Sequence, residues 1–473
     1  MRQLPQNPLI LGSGMAGLAV GWNLAQDGVG FTMIEKEGEL GGLTRTFEDD
    51  GFYFDLGPHN FHSKYPDILD FVLRLMGDKM LRHYPTVKII FKGKLITYPL
   101  KGINVFTSLP PRLLFPAVLY FVLARVRMFL TDPVKDDTFK DWITNRFGGT
   151  LYDIYFGPYA EKAWKIEGSN ISDYVAIKRV PVVSIRDHIR RTLGLEQKHR
   201  HTESGELPNY YLKYGSGMIP DALIDGAKEE AQMLRNCRPV AIKGKHGRVE
   251  SVQWQDTAGR THEKEVDFLF STIPLPDLIK IMDLDTPDEV KAAAEGLDYC
   301  AERLVYVKLK REYKEIPSLL YFSDPEIKFN RLYNVGDWSK DCTPPGKAAV
   351  CVEFTCSVGD DVWTLPEDQL CEYAQKTLVG LGVIRSEDVE GFATRKIEHA
   401  YPRFRVGFED RMKVIFDYLS GVRNLITLGR QGLFCYANID DALHMAFRAY
   451  ENMNTMNVKN VDYYDLFPKH TTL

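Results

Sequence analysis

The sequence predicts an α/β protein in which a Rossmann-type nucleotide-binding domain is interrupted by a helical insertion and by a mostly antiparallel β-sheet. Three observations predict this fold. A strand, a glycine-rich turn, a helix, a second strand and an acidic residue follow one another between Leu9 and Glu35. Helical periodicity then runs from about residue 105 to 195. Finally, short apolar strands return at 267–272 and at 424–429, so the chain re-enters its first domain.

The first glycine-rich turn, Gly12-Ser13-Gly14-Met15-Ala16-Gly17, has the pattern G-x-G-x-x-G. Gly12 allows a tight turn out of the strand, Gly14 lets a phosphate approach the backbone, and Gly17 lets the helix pack close to the strand. The helix N-terminus offers free N–H groups to a pyrophosphate. Glu35 closes the second strand, where a carboxylate can accept both ribose hydroxyls. The unit predicts a bound dinucleotide, and a plain glycine-rich turn is the alternative.

A second glycine-rich turn indicates which dinucleotide binds. Gly41 and Gly42 precede Arg45 in the segment GELGGLTRT, and they offer backbone and cationic contacts to a second part of a long cofactor. The arrangement resembles the glycine doublet of FAD enzymes of the amine oxidase, phytoene desaturase and protoporphyrinogen oxidase group. The resemblance favours FAD over NAD. A surface turn with a solvated Arg45 is the alternative.

Composition excludes several classes of protein. The 473 residues are enough for more than one core, and the net charge of −5 gives no reason to expect nucleic acid as a partner. Seven cysteines without a C-x-x-C motif indicate reduced thiols, with neither a disulfide framework nor a metal site. Because the first strand begins within ten residues of Met1, we expect no signal peptide and a cytoplasmic protein.

These patterns divide the chain into four predicted parts. They are a cofactor-binding domain (1–65, 208–275 and 420–455), a mainly helical insertion domain (66–207), an antiparallel-sheet substrate domain (276–419) and a tail (456–473). A helix is predicted from Pro220 to Leu234. The most apolar stretch, Leu113 to Leu130, contains Arg125 and Arg127 and is too short to span a membrane. For this stretch we favour a core helix over peripheral contact with a membrane surface.

Several later motifs resemble those of UDP-galactopyranose mutases, and the likeness runs with gaps from residue 8 to about 450. The motifs are GPHNFH with His59, Lys162-Ala163-Trp164, Lys178-Arg179, YFSDPEIKFNR with Tyr321 and Arg331, Tyr401-Pro402, and Gly429-Arg430-Gln431-Gly432 followed by Tyr436 and Asn438.

This resemblance implies a role for each matched position. Arg179 and Arg331, with Tyr321 and Tyr436, would hold a nucleotide diphosphate, whose charge suits arginine forks and phenol donors. His59 would lie beside the flavin. Substrate contacts are further assigned to Trp164, Tyr401 and Asn438, and cofactor contacts to Gly12, Gly14, Gly17, Glu35, Gly42, Arg45, Val240, Gly429 and Arg430. Considered one at a time, Arg179 and Arg331 would be interpreted as surface residues, and Trp164 would be interpreted as a core residue.

The resemblance implies an FAD-dependent ring-contraction isomerase that acts on a nucleotide-diphosphate sugar for cell-surface polysaccharide biosynthesis. Reduced flavin would be the nucleophile, and an unidentified reductant would be required. Many flavin oxidases carry Asp, Glu or Asn at the position of Arg430. Arg430 favours reduced flavin, because a cation near the cofactor would stabilise its anionic reduced form, and an arginine that serves only the FAD pyrophosphate is the alternative. Prokaryotic mutases carry an arginine in the strand that here reads Glu353-Phe354-Thr355-Cys356-Ser357, which leaves the sugar open. The alternatives are an oxidoreductase of the amine oxidase or protoporphyrinogen oxidase type and a non-catalytic flavin-binding scaffold.

Overall fold

The structure, a computed structural model, describes residues 4–91, 93–97, 109, 111–130, 136–180, 208–455 and 463. Apart from Tyr463, the predicted tail lies outside the described residues. The strands are β1 (Pro8–Leu11), β2 (Phe31–Ile34), β3 (Thr46–Asp49), β4 (Phe52–Asp55), β5 (Met80–Arg82), β6 (Val87–Phe91), β7 (Lys94–Thr97), β8 (Tyr210–Leu212), β9 (Ala231–Leu234), β10 (Arg238–Lys245), β11 (Arg248–Gln255), β12 (Thr261–Glu265), β13 (Phe268–Ser271), β14 (Met282–Asp283), β15 (Asp298–Leu309), β16 (Leu319–Phe322), β17 (Arg331–Asn334), β18 (Ala348–Cys356), β19 (Val389–Arg403) and β20 (Leu425–Thr427).

The longer helices connect these strands. They are α1 (Met15–Gln26), α2 (Pro66–Met76), α3 (Pro111–Leu130), α4 (Phe139–Phe147), α5 (Gly157–Trp164), α6 (Asp173–Arg179), α7 (Met218–Asp225), α8 (Leu275–Ile281), α9 (Asp288–Glu295), α10 (Glu367–Gly380), α11 (Phe408–Leu419) and α12 (Ile439–Thr455).

A five-stranded parallel sheet forms the nucleotide-binding core, in the order β20-β13-β1-β2-β9. Its strands come from separate parts of the chain, which confirms the predicted discontinuous Rossmann-type fold. The prediction of one helix from Pro220 to Leu234 was wrong at its C-terminal end. That helix ends at Asp225, before Gly226, and residues 231–234 form β9 because they pair with β2 at the edge of the sheet.

A seven-stranded, mostly antiparallel sheet forms the second layer, in the order β19-β15-β18-β17-β16-β6-β7. The hairpin β6–β7 comes from the predicted helical insertion, but it joins this sheet because β6 pairs in parallel with β16. The strand β19 was not predicted from the sequence. Because β19 lies at the edge of the sheet, many of its residues are only partly buried, and it therefore lacks a continuous apolar run.

The carboxylate of Asp55 connects the end of β4 to three other segments. It accepts hydrogen bonds from the Thr46 hydroxyl at 2.5 Å, the Tyr211 hydroxyl at 2.7 Å and the Ser216 backbone N–H at 3.0 Å. Burial raises the pKa of Asp55 to about 6, although these hydrogen bonds oppose the shift. The same buried carboxylate therefore holds β3, β8 and the turn before α7.

The backbone carbonyl of Asp55 connects β4 to the antiparallel sheet. It accepts hydrogen bonds from the hydroxyls of Tyr306 at 2.6 Å and Tyr333 at 2.9 Å, on β15 and β17. Both tyrosine side chains are buried with Phe52 and Phe54 in one apolar cluster. The segment after β4, which contains His59, therefore begins from a point that is fixed against the second sheet.

The helix α3 was predicted to be a core helix, but one of its sides is exposed. Ala117 and Ala124 are buried on its inner side, whereas Phe115, Leu119 and Leu123 are exposed on the opposite side. Among the described helices, none has both the length and the apolar character that are needed to cross a bilayer. The core-helix interpretation was wrong because periodicity cannot show that only one side of an apolar helix is covered.

We predict that Asp55→Ala lowers the free energy of unfolding by about 3 kcal/mol or more, because it leaves the buried donors of Tyr211 and Ser216 without their acceptor. Chemical denaturation measures this change. The control is Asp417→Ala, which removes an exposed pair with Lys413 inside α11 and should cost less than about 1 kcal/mol. Equal losses in the two variants would contradict the role of Asp55.

Candidate functional site

The nucleotide-binding turn is built from two glycine loops that touch. Gly14 and Gly41 form an isolated β-bridge, and a Cβ atom added at Gly42 would lie 2.8 Å from the Cα atom of Gly14. Gly42 also has a φ of +56°, which side chains rarely adopt. In the first loop, a Cβ atom at Gly17 would lie 2.1 Å from the carbonyl oxygen of Gly12. The glycines therefore permit close approach both between the loops and between loop and helix.

Glu35 binds the first glycine loop directly. Its Oε2 accepts hydrogen bonds from the Ser13 backbone N–H at 2.8 Å and the Ser13 hydroxyl at 2.6 Å, and its Oε1 accepts the Glu37 N–H at 2.9 Å. A carboxylate has about four lone-pair sites, so a ribose hydroxyl would share this group with the loop. The ribose contact of Glu35 stays a prediction, whereas its support of the loop is observed.

Three further residues that are predicted to contact the cofactor lie in different parts of the fold. Gly429 packs on the start of α1, where its added Cβ atom would lie 3.0 Å from the Cβ atom of Ala16. The Arg45 Nε lies 3.3 Å from a carboxylate oxygen of Glu39. Val240 lies at a β-bulge of β10 and is half-buried. The contacts of these residues with a cofactor stay predictions.

A group of ionisable side chains, here called the charged cluster, lies where the segment after β4 meets the antiparallel sheet. The electrostatic effects that these groups exert on one another show that they are neighbours. Arg331 and Arg430, for example, both act on the pKa values of His59, Glu302 and Tyr401. The members are His59, Glu302, Tyr321, Arg331, Glu353, Tyr401, Arg430 and Tyr436.

Arg331 and Glu353 form a bidentate ion pair across β17 and β18. The two residues are directly opposite in register, and the Arg331 Nε lies 2.9 Å from both carboxylate oxygens while Nη2 lies 2.5 Å from Oε2. The Glu353 side chain is fully buried. The ion pair engages Nε and Nη2 of the guanidinium and does not involve Nη1.

Glu302 is a second buried carboxyl group on the same face of the sheet. Leu304 pairs with Glu353 in β18, so Glu302 is a diagonal neighbour of Glu353. Burial, and then the negative charge of Glu353, raise the pKa of Glu302 to about 8, although Arg331 and Arg430 oppose the shift. Glu302 is therefore protonated at neutral pH and adds a proton donor to the charged cluster.

The sequence analysis missed Glu302 and Glu353 as members of a site. The sequence does carry a signal for the first, because Glu302-Arg303 is a charged pair in the middle of the strand DYCAERLVYVKL, of which all but the first two residues are buried. A charge in a buried strand needs a partner and often marks a functional site. Glu353 was noted only because it stands in a strand where an arginine was expected.

His59 places a neutral imidazole in the charged cluster. Burial, and then the positive charges of Arg430 and Arg331, lower its pKa to about 3. Within the described part of the chain, its buried Nδ1 has no hydrogen-bond partner. A buried polar atom without a partner is costly, so a bound group that hydrogen-bonds to Nδ1 would fit this position.

Arg430 holds two tyrosine rings and two backbone segments together. Its Nε and Nη2 donate hydrogen bonds to the Ala437 carbonyl at 2.8 and 2.5 Å, and Nη1 donates to the Ala400 carbonyl at 3.5 Å. The guanidinium lies 5.2 Å from the ring centroid of Tyr401 and 5.7 Å from that of Tyr436. The two rings are stacked with centroids 6.3 Å apart. Arg430 therefore orders the closing segment, and its contact with a flavin stays a prediction.

Tyr321 lies beside Arg331 in the charged cluster. It is opposite Arg331 in the register of β16 and β17, and its ring contacts Tyr159 edge-to-face at 6.1 Å. Lys162 supports this strand, because its ammonium donates hydrogen bonds to the carbonyls of Phe322 at 2.8 Å and Asp324 at 2.9 Å. Burial lowers the pKa of Lys162 to about 7. Sequence reasoning noted Lys162 but gave a role only to its neighbour Trp164.

Three of the predicted substrate residues are not placed in the charged cluster. Trp164 is buried and packs on Phe404 with ring centroids 5.9 Å apart. Asn438 precedes α12, and its backbone N–H donates to the Asp441 carboxylate at 3.0 Å. Arg179 is the last residue of α6, and its side chain lies outside the described part of the structure. Their contacts with a substrate stay predictions.

Comparison with known proteins supports the nucleotide-binding unit and the overall fold. Residues 10–75 match the family model of an NAD(P)-binding Rossmann-like domain. The chain is 25% identical over 190 residues to a probable UDP-galactopyranose mutase from Klebsiella pneumoniae, and 27% identical over 182 residues to a dTDP-fucopyranose mutase from Escherichia coli. Each match covers 37% of this chain and 45% of the relative. The chain thus spans less than half the length of these curated relatives.

Solved structures match over nearly the whole chain. A reduced UDP-galactopyranose mutase has a TM-score of 0.80 at 21% identity and covers 95% of both chains. A putative protoporphyrinogen oxidase from Exiguobacterium sp. 255-15 has a TM-score of 0.74 at 16% identity and covers 95% of this chain and 99% of that one. The predicted fold class and the predicted resemblance to both groups are therefore confirmed.

We predict that the free energy of unfolding depends on the protonation of Glu302. Because its folded-state pKa is raised, the neutral carboxyl stabilises the fold fully below the usual pKa of 4.5, and this contribution is lost as the pH rises to about 8. Glu302→Gln stays neutral at every pH. Relative to this variant, the wild-type protein should lose up to about 1.4 kcal/mol per pH unit across that range.

Chemical denaturation at several pH values between these limits measures the difference. Glu398→Gln changes an exposed glutamate in an ion pair with Lys36 and serves as the control. Its free energy of unfolding should follow that of the wild-type protein at every pH. Parallel curves for wild-type protein and Glu302→Gln would contradict a raised pKa for Glu302.

Proposed function

We propose that this protein is an FAD-dependent enzyme that acts on a nucleotide-diphosphate sugar, as a UDP-galactopyranose mutase-like isomerase. The observation that carries the proposal is the charged cluster, in which two guanidinium groups lie near the half-buried imidazole of His59 and three tyrosines lie near the guanidinium groups. When bound, reduced FAD would supply a nucleophilic ring nitrogen for the anomeric carbon of the sugar.

The two glycine loops support FAD as the cofactor. The contact of Gly42 with Gly14 joins the second loop to the pyrophosphate-binding turn, as a long dinucleotide requires. Gly12, Gly14 and Gly17 would hold the pyrophosphate, and Glu35 the ribose. Further contacts are assigned to Gly42, Arg45, Val240, Gly429 and Arg430. The unpartnered Nδ1 of His59 would hydrogen-bond to the bound flavin.

The charge of the cluster supports an anionic second ligand. His59 and Glu302 are neutral at neutral pH, so two arginines face the single negative charge of Glu353 and leave a net positive charge. A diphosphate carries about two negative charges and binds well to guanidinium donors. Arg331 would act through Nη1, and the hydroxyls of Tyr321 and Tyr436 would add neutral donors.

Glu302 would supply the proton that such a reaction needs at the sugar. A ring that opens and re-closes exchanges a proton at its oxygens, and a carboxyl group with a pKa near neutral pH suits both directions of that transfer. The ion pair of Arg331 with Glu353 would orient the guanidinium toward the leaving diphosphate. We also assign Arg179, Trp164, Tyr401 and Asn438 to the substrate.

An oxidoreductase of the protoporphyrinogen oxidase type is the second candidate, because a structure named as such an oxidase shares the fold over 95% of this chain. The two proposals differ in the second ligand. An oxidase of this type needs an apolar substrate cavity, whereas the mutase proposal needs an anion site at Arg331. Binding of a nucleotide diphosphate therefore separates them.

We predict that Gly42→Ala lowers FAD affinity by about tenfold or more, because the new Cβ atom pushes the two glycine loops apart. Gly28→Ala is the matched control. Gly28 also has a positive φ, +71°, but no described atom lies within 4 Å of its added Cβ atom. The measurement is the flavin-to-protein absorbance ratio after purification and its recovery on titration with FAD. A wild-type protein that binds no FAD would overturn the proposal, as would full retention by Gly42→Ala.

We predict that the double variant Arg331→Gln/Glu353→Gln loses UDP affinity by about tenfold or more while its flavin content is unchanged. Changing both partners avoids an unpaired buried charge. Calorimetric titration with UDP and UDP-galactopyranose measures binding. The control Arg448→Gln/Glu451→Gln removes an exposed ion pair on α12 and should bind like the wild-type protein. If the wild-type protein binds neither of these nucleotides nor dTDP, the mutase proposal fails.

A further inference from the structure

The helix α3 carries a broad apolar face on the outside of the protein. Val118, Leu119, Val122, Leu123, Val126 and Leu130 are all exposed, with Leu123 at 52% and Leu130 at 73% of their full surface. At about 100° per residue, these six positions fall within roughly 140° of the helix circumference. We call them the apolar face of α3.

The opposite side of α3 is fixed to the protein. Ala117 and Ala124 are buried, and Arg125 lies over the rings of Phe121 and Phe147 at 5.2 and 5.7 Å. The helix therefore cannot turn its apolar face inward without losing these contacts. A contiguous apolar face of this size on a protein surface marks a site of contact with a protein or a membrane.

The charges of α3 distinguish between these occupants. Within Pro111–Leu130 the chain has three arginines and no acidic residue. Arg112 and Arg127 are exposed near the two ends of the helix. If two copies of α3 packed face to face, two positively charged helices without acidic residues would meet, which like-charge repulsion disfavours. Anionic phospholipid headgroups would instead complement these cations.

We propose that the apolar face of α3 binds peripherally to the surface of a bilayer that contains anionic phospholipids. The axis of the helix lies in the plane of the membrane, its aliphatic side chains enter the boundary between headgroups and acyl chains, and Arg112 and Arg127 contact the headgroups. None of the described helices can cross the bilayer, so the contact is with one surface. Because the face lies outside the charged cluster, this inference is independent of the proposed reaction.

Vesicle flotation of the full chain tests this inference. The probes are vesicles of phosphatidylcholine alone and of phosphatidylcholine with phosphatidylserine. We expect the wild-type protein to float with the second kind, and Leu123→Glu to reduce its partition by about tenfold or more, because a charge enters the apolar boundary. Leu119→Gln, also on the face, should reduce partition and makes a second variant. Val358→Glu is the matched control. Val358 follows the end of β18 and is 60% exposed, so this variant should float like the wild-type protein.

Each other outcome would overturn the proposal. A wild-type protein that floats with neither kind of vesicle shows that α3 does not bind lipid. Equal flotation with both kinds contradicts the role of the arginines. Equal flotation of wild-type protein, Leu123→Glu and Leu119→Gln places the membrane contact elsewhere. If light scattering shows a wild-type dimer that Leu123→Glu converts to a monomer, the occupant is a second copy.

Discussion

The hydrogen bonds to Asp55 are the constraint that connects the end of β4 to the antiparallel sheet and to the turn before α7. Its carboxylate holds the chain near Thr46, Tyr211 and Ser216, while its carbonyl holds Tyr306 and Tyr333 of the antiparallel sheet. These bonds form at the end of β4, only four residues before His59. Asp55 therefore fixes the start of the segment that contains His59 against the antiparallel sheet.

Charge balance determines what the charged cluster can bind. A buried arginine without a partner would be costly, and Glu353 removes that cost but also neutralises much of the attraction of Arg331 for an anion. A second ionised carboxylate at Glu302 would cancel the remaining positive charge of the two arginines. Its raised pKa keeps it protonated at neutral pH, so the excess charge stays positive. The protonation of Glu302 and the binding of a diphosphate should therefore be coupled, because an anion and a neutral Glu302 favour each other.

The sequence predicted the features that depend on local chain geometry. The unit from Gly12 to Glu35 is contiguous, and within it Gly17 lies so close to the carbonyl oxygen of Gly12 that a Cβ atom would not fit. The charged cluster depends instead on register between strands that are far apart in the chain, such as the pairing of Arg331 with Glu353. No periodicity encodes that register, so Glu302 and Glu353 were not predicted to belong to one site. The exposure of α3 was missed for a related reason, since a helix of apolar residues does not reveal which side the fold covers.

The most direct test of the central claim is turnover of nucleotide sugars by the dithionite-reduced protein, with products separated by chromatography. The panel would include UDP-galactopyranose, UDP-galactofuranose and dTDP-linked sugars, each with the oxidised protein as a parallel reaction. We expect the reduced protein to interconvert the pyranose and furanose forms of at least one sugar, and we expect the oxidised protein not to do so. The proposed mutase activity of the reduced flavin is contradicted if the reduced, FAD-loaded protein converts none of these sugars. It is also contradicted if the oxidised protein turns over the sugars equally fast.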